Sequence, residues 1–209
     1  MRKYLPTWAA LEYTSEVSVH LQHHVFFDYV YSSGSWILVT GASGFLVSHI
    51  CLQFIERGYK VRASVRDPAQ SSWLREGRFE PYANTGAIEL VSVTHLGADG
   101  AYDDEIKGVS GIIHTAFVTN IVPDPSEVIT PMVAAIRSIT NAAIRESSVK
   151  VVVFTGSAIT SKKEVWRFVE QGDLPFNVNV MSLGGIIGEL LHKKHVNGPA
   201  GWAPDTTNA

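Results

Sequence analysis

The sequence predicts an α/β protein built on a doubly wound parallel sheet, with helices on both faces of the sheet. Three observations carry this prediction. Short apolar runs alternate along the chain with helix-like amphipathic segments. A glycine-rich turn separates the first apolar run from the first helical segment. The run Val149–Thr155 is nearly all β-branched, which is typical of a strand buried on both faces of a parallel sheet.

The predicted elements follow one another with short connections. Six strands are expected, at Ile37–Thr40, Lys60–Val65, Ile88–Val93, Gly111–Ala116, Val149–Thr155 and Phe176–Met181. Four helices are expected, at Gly44–Arg57, Asp103–Lys107, Glu127–Ser147 and Lys162–Glu170. Gly58 is placed as a helix C-cap, and Pro131 moves the expected start of the third helix towards Thr130.

Patterning divides the chain into three parts. Residues 1–35 hold aromatic residues and histidines without a sustained period and end in a Ser/Gly linker, so we expect an N-terminal extension there. Residues 36–188 carry the strand–helix alternation and form the predicted sheet domain. Residues 189–209 are expected to form an irregular tail, which becomes rich in Gly, Pro, Asn and Thr from residue 197.

Composition excludes several functional classes. The 209 residues carry a net charge of -3, so no basic face for nucleic acid is expected. No apolar run approaches the ~18 residues of a membrane span, and Glu12 and Glu16 interrupt any signal-peptide core. The single cysteine, Cys51, is expected to be a buried apolar residue of the first helix. A reducing, cytoplasmic setting fits one cysteine.

The glycine-rich turn is the strongest functional signal. Gly41 allows a tight turn after the first strand, and Gly44 leaves room for a pyrophosphate beside the backbone. The helix that follows directs free N–H groups towards the phosphates, so we assign Gly41, Ser43, Gly44 and Phe45 to a dinucleotide site. Val47 replaces the third glycine of the usual fingerprint, which predicts a different contact between helix and strand.

The second predicted strand bears on the choice between NAD and NADP. An acidic residue about 20 positions past the glycines usually binds the ribose 2′-hydroxyl of NAD. Here Arg62 lies near the start of the strand and Arg66 at its end, and a guanidinium suits the 2′-phosphate of NADP. Arg66 is the stronger candidate, because Arg62 also fits a solvated surface residue. Asp67 is left as an alternative ligand of the ribose.

The fourth predicted strand ends in His114, Thr115, Ala116 and Phe117. Since ligands of open α/β sheets bind at the carboxyl ends of the strands, these residues are expected to flank the cofactor. We assign Ala116 to the cofactor site. For His114 a second interpretation stays open, that of a histidine satisfied within the core.

These motifs together resemble the extended short-chain dehydrogenase/reductase family, which includes NAD-dependent epimerases and dehydratases. The similarity is strongest to fungal NADPH-dependent aldehyde and ketone reductases and plant dihydroflavonol reductases. The segments that carry it are Trp36–Arg57, Tyr59–Pro68, Gly100–Ala116, Val128–Ala143 and Val149–Ala158. The resemblance implies a Rossmann fold, NADPH rather than NADH as the cofactor, and a small carbonyl or alcohol as the substrate. It is also compatible with a homodimer.

The resemblance also implies catalytic residues. Ser157 matches the serine that binds the substrate oxygen, and Lys162 matches the lysine that holds the ribose. The proton-donating tyrosine should lie four residues before that lysine, where this chain has Ala158, and no tyrosine follows Tyr102. His95 stands where the family has an acidic adenine contact. A segment between the serine and the lysine is missing, as is most of the substrate-binding part.

Two functions therefore compete. One is an NADPH-dependent reductase of aldehydes or ketones, impaired by the missing proton donor. The other is an inactive cofactor-binding fragment or a nucleotide-sensing regulator. No metal site is predicted, because His20, His23 and His24 lack accompanying ligands. The segment from His192 to His195 is expected to be a solvated basic turn, and Trp73 a packing residue.

Overall fold

The structure is a computed structural model that describes residues 32–117, 124, 126–156, 159–182 and 188–195. For residues 159–162 the description covers the backbone. Apart from Ser32, all described residues belong to the compact unit Ser33–Ala209. The predicted extension therefore lies almost wholly outside the described residues, as do the three histidines at positions 20, 23 and 24.

Six parallel strands form one sheet in the order β3-β2-β1-β4-β5-β6. This order confirms the predicted doubly wound sheet, because the chain winds outwards from β1 first in one direction and then in the other. Every neighbouring pair is parallel. The strands are β1 Trp36–Thr40, β2 Lys60–Val65, β3 Ile88–Ser92, β4 Val109–His114, β5 Val151–Thr155 and β6 Asn177–Met181.

In the part of the chain that the structure describes, four α-helices connect or flank the strands: α1 Phe45–Glu56, α2 Glu80–Asn84, α3 Ser126–Arg145 and α4 Ile159–Gln171. Short 3-10 helices occupy Ser72–Arg75, Gly77–Phe79 and Lys193–His195. The prediction that α3 starts near Thr130 is wrong, since the helix begins at Ser126 and contains Pro131. Pro131 lacks a backbone N–H, so one hydrogen bond is lost in the first turns. The remaining hydrogen bonds of this 20-residue helix offset the loss.

The predicted helix at Asp103–Lys107 is also wrong, because residues 101–108 form consecutive turns. One bond of helical type joins the Ile106 N–H to the Tyr102 carbonyl at 3.0 Å. The Val109 N–H then bonds the Ile106 carbonyl at 3.0 Å as the chain enters β4. With only a few residues before that strand, no second helical turn forms, and the acidic cluster stays in a loop.

The core lies between the sheet and the helices on either side. On one face α3 packs Ile136 and Ile139 against Leu38 and Ile112 of the central strands, all fully buried. On α1, Val47, Ser48, Cys51, Leu52 and Ile55 are buried. Burying a Leu, Ile or Val side chain contributes about 1.5–3 kcal/mol each, so these contacts fix the strand ends that form the site. Cys51 is buried, as expected.

Among the described helices, none combines the length and apolar character needed to cross a membrane.

Candidate dinucleotide site

The site lies where the sheet changes its winding direction. β1 pairs with β2 on one side and with β4 on the other, so the chain leaves the central strands in opposite directions. Thr40, the last residue of β1, is in register with His114, the last residue of β4. A crevice at the carboxyl ends of two such strands is where open α/β sheets bind ligands.

Gly41 turns the chain directly after β1, with a φ of +74° that an L side chain rarely adopts. Its N–H and that of Ala42 both bond the Ser64 carbonyl at 3.0 Å, which ties the turn to the end of β2. A Cβ at position 41 would lie 3.2 Å from the Ala116 Cα and 3.3 Å from its Cβ. Gly41 and Ala116 are therefore in close contact.

Gly44 caps α1 with an extended conformation, and no side chain caps the helix. The first turn also holds no acidic residue. The N–H groups at the start of a helix have no partner within the helix, and here they carry the positive end of a 12-residue dipole. This helix start can bind an anion such as a pyrophosphate. Phe45 is the first residue of α1, and Ser43 precedes the cap.

Val47, at the third fingerprint position, is buried on α1, and its Cγ2 lies 3.4 Å from where a Cβ of Gly44 would be. The valine thus fills the space beside Gly44 that a glycine would leave open. The departure from the fingerprint changes the packing under the turn without blocking the helix start.

Thr40 organises the strand ends through one hydroxyl. Its Oγ1 accepts the N–H of Thr115 and of Ala116, each at 3.1 Å, and lies 3.0 Å from Nδ1 of His114. Because two N–H groups already donate to this oxygen, the hydroxyl proton goes to Nδ1 of His114. The histidine is then neutral and carries its proton on Nε2. This network holds the backbone of Thr115 and Ala116 against the glycine turn.

His114 belongs to the core and not to the cofactor contact. The ring is fully buried, and the rings of Tyr102, Phe117 and Phe154 surround it edge-on at 5.5–6.4 Å. Its Nε2 has no partner among the described residues. The structure therefore decides for the core histidine. Burial lowers the pKa of His114 from 6.5 to about 4.

The low pKa of His114 predicts an acid sensitivity. Between pH 6.5 and about 4 the unfolded chain binds a proton that the folded chain does not. The stability contribution of neutral His114 is full above pH 6.5 and falls as the pH approaches 4, by about 3 kcal/mol in total. Chemical denaturation at several pH values should show this slope, and His114→Gln should flatten it. An equal slope in both proteins would contradict the assignment.

The Thr40 network predicts a second large effect. Thr40→Val keeps the shape of the side chain but leaves the half-buried N–H of Thr115 and the buried N–H of Ala116 without an acceptor. Because an unsatisfied buried group costs about 1–3 kcal/mol, we expect the free energy of unfolding to fall by roughly 2–4 kcal/mol. Thr155→Val is the matched control, since the buried Thr155 Oγ1 makes one long bond of 3.5 Å to the His114 carbonyl. Equal losses in urea denaturation would refute the network.

Arg62 is neither a ligand of the 2′-phosphate nor a solvated surface residue, the two interpretations that the sequence left open. Its Nη1 donates to the carbonyls of Glu105 and Lys107 at 2.7 and 3.0 Å, and its Nε bonds Glu89 at 3.1 Å. The guanidinium also lies 5.2 Å from the centre of the Trp36 ring. With an exposed side-chain fraction of 15%, Arg62 is neither solvated nor available for a 2′-phosphate. It fastens β2 to β3 and to the turn before β4.

Arg66 stands directly after β2 and is exposed. No hydrogen bond or ion pair to another described residue engages its guanidinium. Asp67 is occupied instead: Oδ1 accepts the N–H of Ala69 at 2.9 Å and of Gln70 at 3.2 Å, and Oδ2 accepts the Gln70 side chain at 2.9 Å. The arginine is thus free for a ligand, while the carboxylate stabilises the following turn. His95 is exposed after β3.

Ser157 lies outside the described residues, and so does Ala158. Lys162 lies in helix α4, in agreement with the helix predicted at Lys162–Glu170. Two kinds of contact hold this helix in place. The buried carboxylate of Glu164 accepts a hydrogen bond from Arg137 of α3 at 2.8 Å and one from Arg167 of the same helix at 2.7 Å, and Val165 packs in the core.

The prediction that residues 192–195 form a solvated basic turn is wrong for His195. His195 is 7% exposed, and its Nε2 donates to the Ser43 carbonyl at 3.0 Å. Trp73 is 7% exposed and packs against it, which confirms Trp73 as a packing residue. Sequence patterns missed this contact because it joins residues 152 positions apart. Among the described residues, no cluster suited to a metal ion is present.

Comparison with known proteins identifies similar sequences. The family model described as "NAD dependent epimerase/dehydratase family" matches residues 37–172. The NAD-dependent epimerase/dehydratase tndE of Aspergillus flavipes is 40% identical over 124 residues, 59% of this chain and 34% of that protein. Aldehyde reductase 2 of Sporidiobolus salmonicolor is 36% identical over 132 residues, 63% of this chain and 38% of that protein. The chain thus matches little more than a third of either relative.

Solved structures show the same fold. Yeast methylglyoxal/isovaleraldehyde reductase Gre2, solved as a complex with NADPH, superimposes with a TM-score of 0.67 at 20% identity. The match covers 77% of this chain and 61% of that one. The fold described above is therefore that of a Rossmann-like α/β domain.

Proposed function

The chain belongs to the NAD dependent epimerase/dehydratase family, and from this premise we propose that it is a cofactor-binding oxidoreductase that takes NADPH and acts on a small aldehyde or ketone. The observation that supports NADPH most directly is the contrast at the end of β2. Arg66 is exposed and unengaged by the described residues, while both oxygens of Asp67 bond the following turn. A guanidinium fits a phosphate, and an occupied carboxylate does not favour a ribose hydroxyl.

The assigned residues divide the binding among them. The start of α1, with Gly41, Ser43, Gly44 and Phe45, holds the pyrophosphate, and Arg66 holds the 2′-phosphate. His95 is assigned to the adenine side. Ala116, held by the Thr40 hydroxyl, lies against Gly41 and lines the crevice. When bound, the nicotinamide supplies the hydride for carbonyl reduction.

The catalytic part of the proposal uses Ser157 and Lys162. Ser157 would donate a hydrogen bond to the carbonyl oxygen, where negative charge develops as the bond is reduced. Lys162 would hold the ribose and carry positive charge near the reacting oxygen. Ala158 cannot donate the proton that a tyrosine would supply, so we expect slow turnover. The substrate class follows from relatives whose names record aldehyde reductase and ketoreductase activity.

A second candidate function is cofactor binding without turnover. The observation that favours it is Ala158 at the position of the proton donor. In that case the chain would report on the nucleotide rather than use it. Both functions share the nucleotide site, and they differ in whether an alcohol is formed.

We further propose a reducing, cytoplasmic location, because the cysteine of the described helix α1 is free and buried. Burial raises the pKa of the Cys51 thiol, which disfavours its oxidation. We also propose that the chain forms a homodimer, and light scattering would test this.

The test combines binding with product analysis. NADPH affinity should fall about 10- to 100-fold in Arg66→Ala, because charge-assisted hydrogen bonds are worth about 1.5–3 kcal/mol, while NADH affinity stays unchanged. Arg57→Ala, at the far end of α1, is the matched control and should change neither. Wild-type protein incubated with NADPH and simple aldehydes or ketones should form traces of alcohol, measured by chromatography. Equal affinity of Arg66→Ala and wild type for NADPH would refute the proposed cofactor.

A further inference from the structure

The segment Gly188–His195, which we call the C-terminal strap, lies across the start of α1. His195 Nε2 donates to the Ser43 carbonyl at 3.0 Å, and the His195 ring meets the Phe45 ring edge-on at 5.9 Å. His49 Nε2 donates to the Glu189 carbonyl at 2.8 Å. The strap therefore contacts the turn that the proposed function assigns to the pyrophosphate.

The other side of the strap rests on Trp73, in the 3-10 helix that follows β2. His192 stacks on the Trp73 ring with 4.6 Å between centroids, and His195 meets it edge-on at 5.4 Å. Lys194 places its Nζ 5.0 Å from the ring centre. Trp73 follows Arg66 by seven residues. The strap thus bridges the first turn of α1, the proposed pyrophosphate site, and the segment after β2, which begins with the proposed 2′-phosphate ligand Arg66.

Charge on the strap is positive. Glu189 pairs with Arg78 at 3.1 Å, which neutralises its carboxylate. Lys193 and Lys194 form no ion pair with a described carboxylate, and the strap that carries them contacts a helix start that favours anions. A segment that blocked the site by mimicking the phosphates of the nucleotide would carry acidic side chains. The strap carries lysines instead, and these favour binding of the anionic nucleotide.

Two polar atoms at this contact lack partners. Trp73 Nε1 and His195 Nδ1 are buried and form no hydrogen bond with any described residue. The indole Nε1–H can only donate, so what it lacks is an acceptor. Phosphate and ribose oxygens are acceptors of this kind.

We propose that the C-terminal strap is part of the nucleotide site and that Lys194 strengthens the binding of NADPH over NADH. The proposal rests on the proposed function and deepens it, since the strap would cap the adenosine side while Arg66 binds the 2′-phosphate. NADPH carries that additional phosphate, so a cation at this end favours it over NADH.

The test uses Lys194→Met, which keeps the packing of the side chain on Trp73 and removes its charge. Lys60→Met is the matched control, because Lys60 Nζ lies 5.5 Å from the centre of the Trp36 ring at the opposite ends of the strands. We expect NADPH to bind roughly fivefold more weakly to Lys194→Met, with NADH affected less, and the difference to shrink at high salt. Lys60→Met should bind like wild type.

The outcomes separate the two proposals. If wild type binds NADPH and Lys194→Met binds it equally well or more tightly, the strap proposal is overturned and the proposed function stands. If wild type binds neither nucleotide, both fail. Hydrogen exchange supplies a readout besides affinity: NADPH should protect residues 188–195 as well as 41–49. Protection confined to residues 41–49 would also overturn the role of the strap.

Discussion

Replacing Ala158 by tyrosine is expected to raise the rate of NADPH-dependent carbonyl reduction about 10²- to 10⁴-fold, the usual worth of a positioned general acid. Residues 158–162 read Ala-Ile-Thr-Ser-Lys, and the substitution places a phenol four residues before Lys162. The lysine would lower the phenol pKa and so make it a better proton donor near neutral pH. Steady-state rates with one aldehyde and one ketone would measure the gain.

Ala158→Phe is the control for this gain. It adds the same ring without the hydroxyl, so any improvement from packing alone would occur in both variants. We expect Ala158→Phe to remain as slow as wild type. If wild type already turned over at the rate of Ala158→Tyr, the missing proton donor would not explain this chain, and another group would have to supply the proton.

Gly41→Val should lower the free energy of unfolding by about 2–6 kcal/mol and abolish nucleotide binding. Two costs add here. A β-branched residue at a φ of +74° is strained by about 1–3 kcal/mol. A Cβ would also lie 3.2 Å from the Ala116 Cα, and forcing extra atoms into a packed site costs about 1–3 kcal/mol. Urea denaturation and nucleotide titration would record the two effects.

Gly77→Val separates these costs. Gly77 also has a positive φ, +53°, but nothing lies within 4 Å of an added Cβ. This variant should lose only the conformational part, about 1–3 kcal/mol, and keep its nucleotide affinity. An equal loss of stability in both variants would mean that the contact between Gly41 and Ala116 contributes nothing.

The fold could be predicted from the sequence because its signals are local. A buried β-branched run such as Val151–Thr155 and a glycine turn between strand and helix each follow from residues close together in the chain. The helix predicted at residues 103–107 is wrong, although it too was based on local residues. The next strand begins at Val109, which leaves too few residues for a helix. Length of the segment, rather than its composition, decided the outcome.

Contacts between distant residues could not be predicted in the same way. Arg62 was considered as a phosphate ligand because it is an arginine on the second strand, yet it binds two carbonyls more than 40 positions away. The neutral, core position of His114 follows from a threonine 74 residues earlier. The packing of His195 on Trp73 and Ser43 has no sequence signal at all, since it depends on how the end of the chain returns to α1.

The central claim is that the glycine turn and Arg66 form an NADPH site, and calorimetric titration of the wild-type protein with NADPH and NADH tests it most directly. We expect NADPH to bind at least tenfold more tightly than NADH, as one charge-assisted contact to the 2′-phosphate requires. Tighter binding of NADH, or no binding of either nucleotide, would contradict the account.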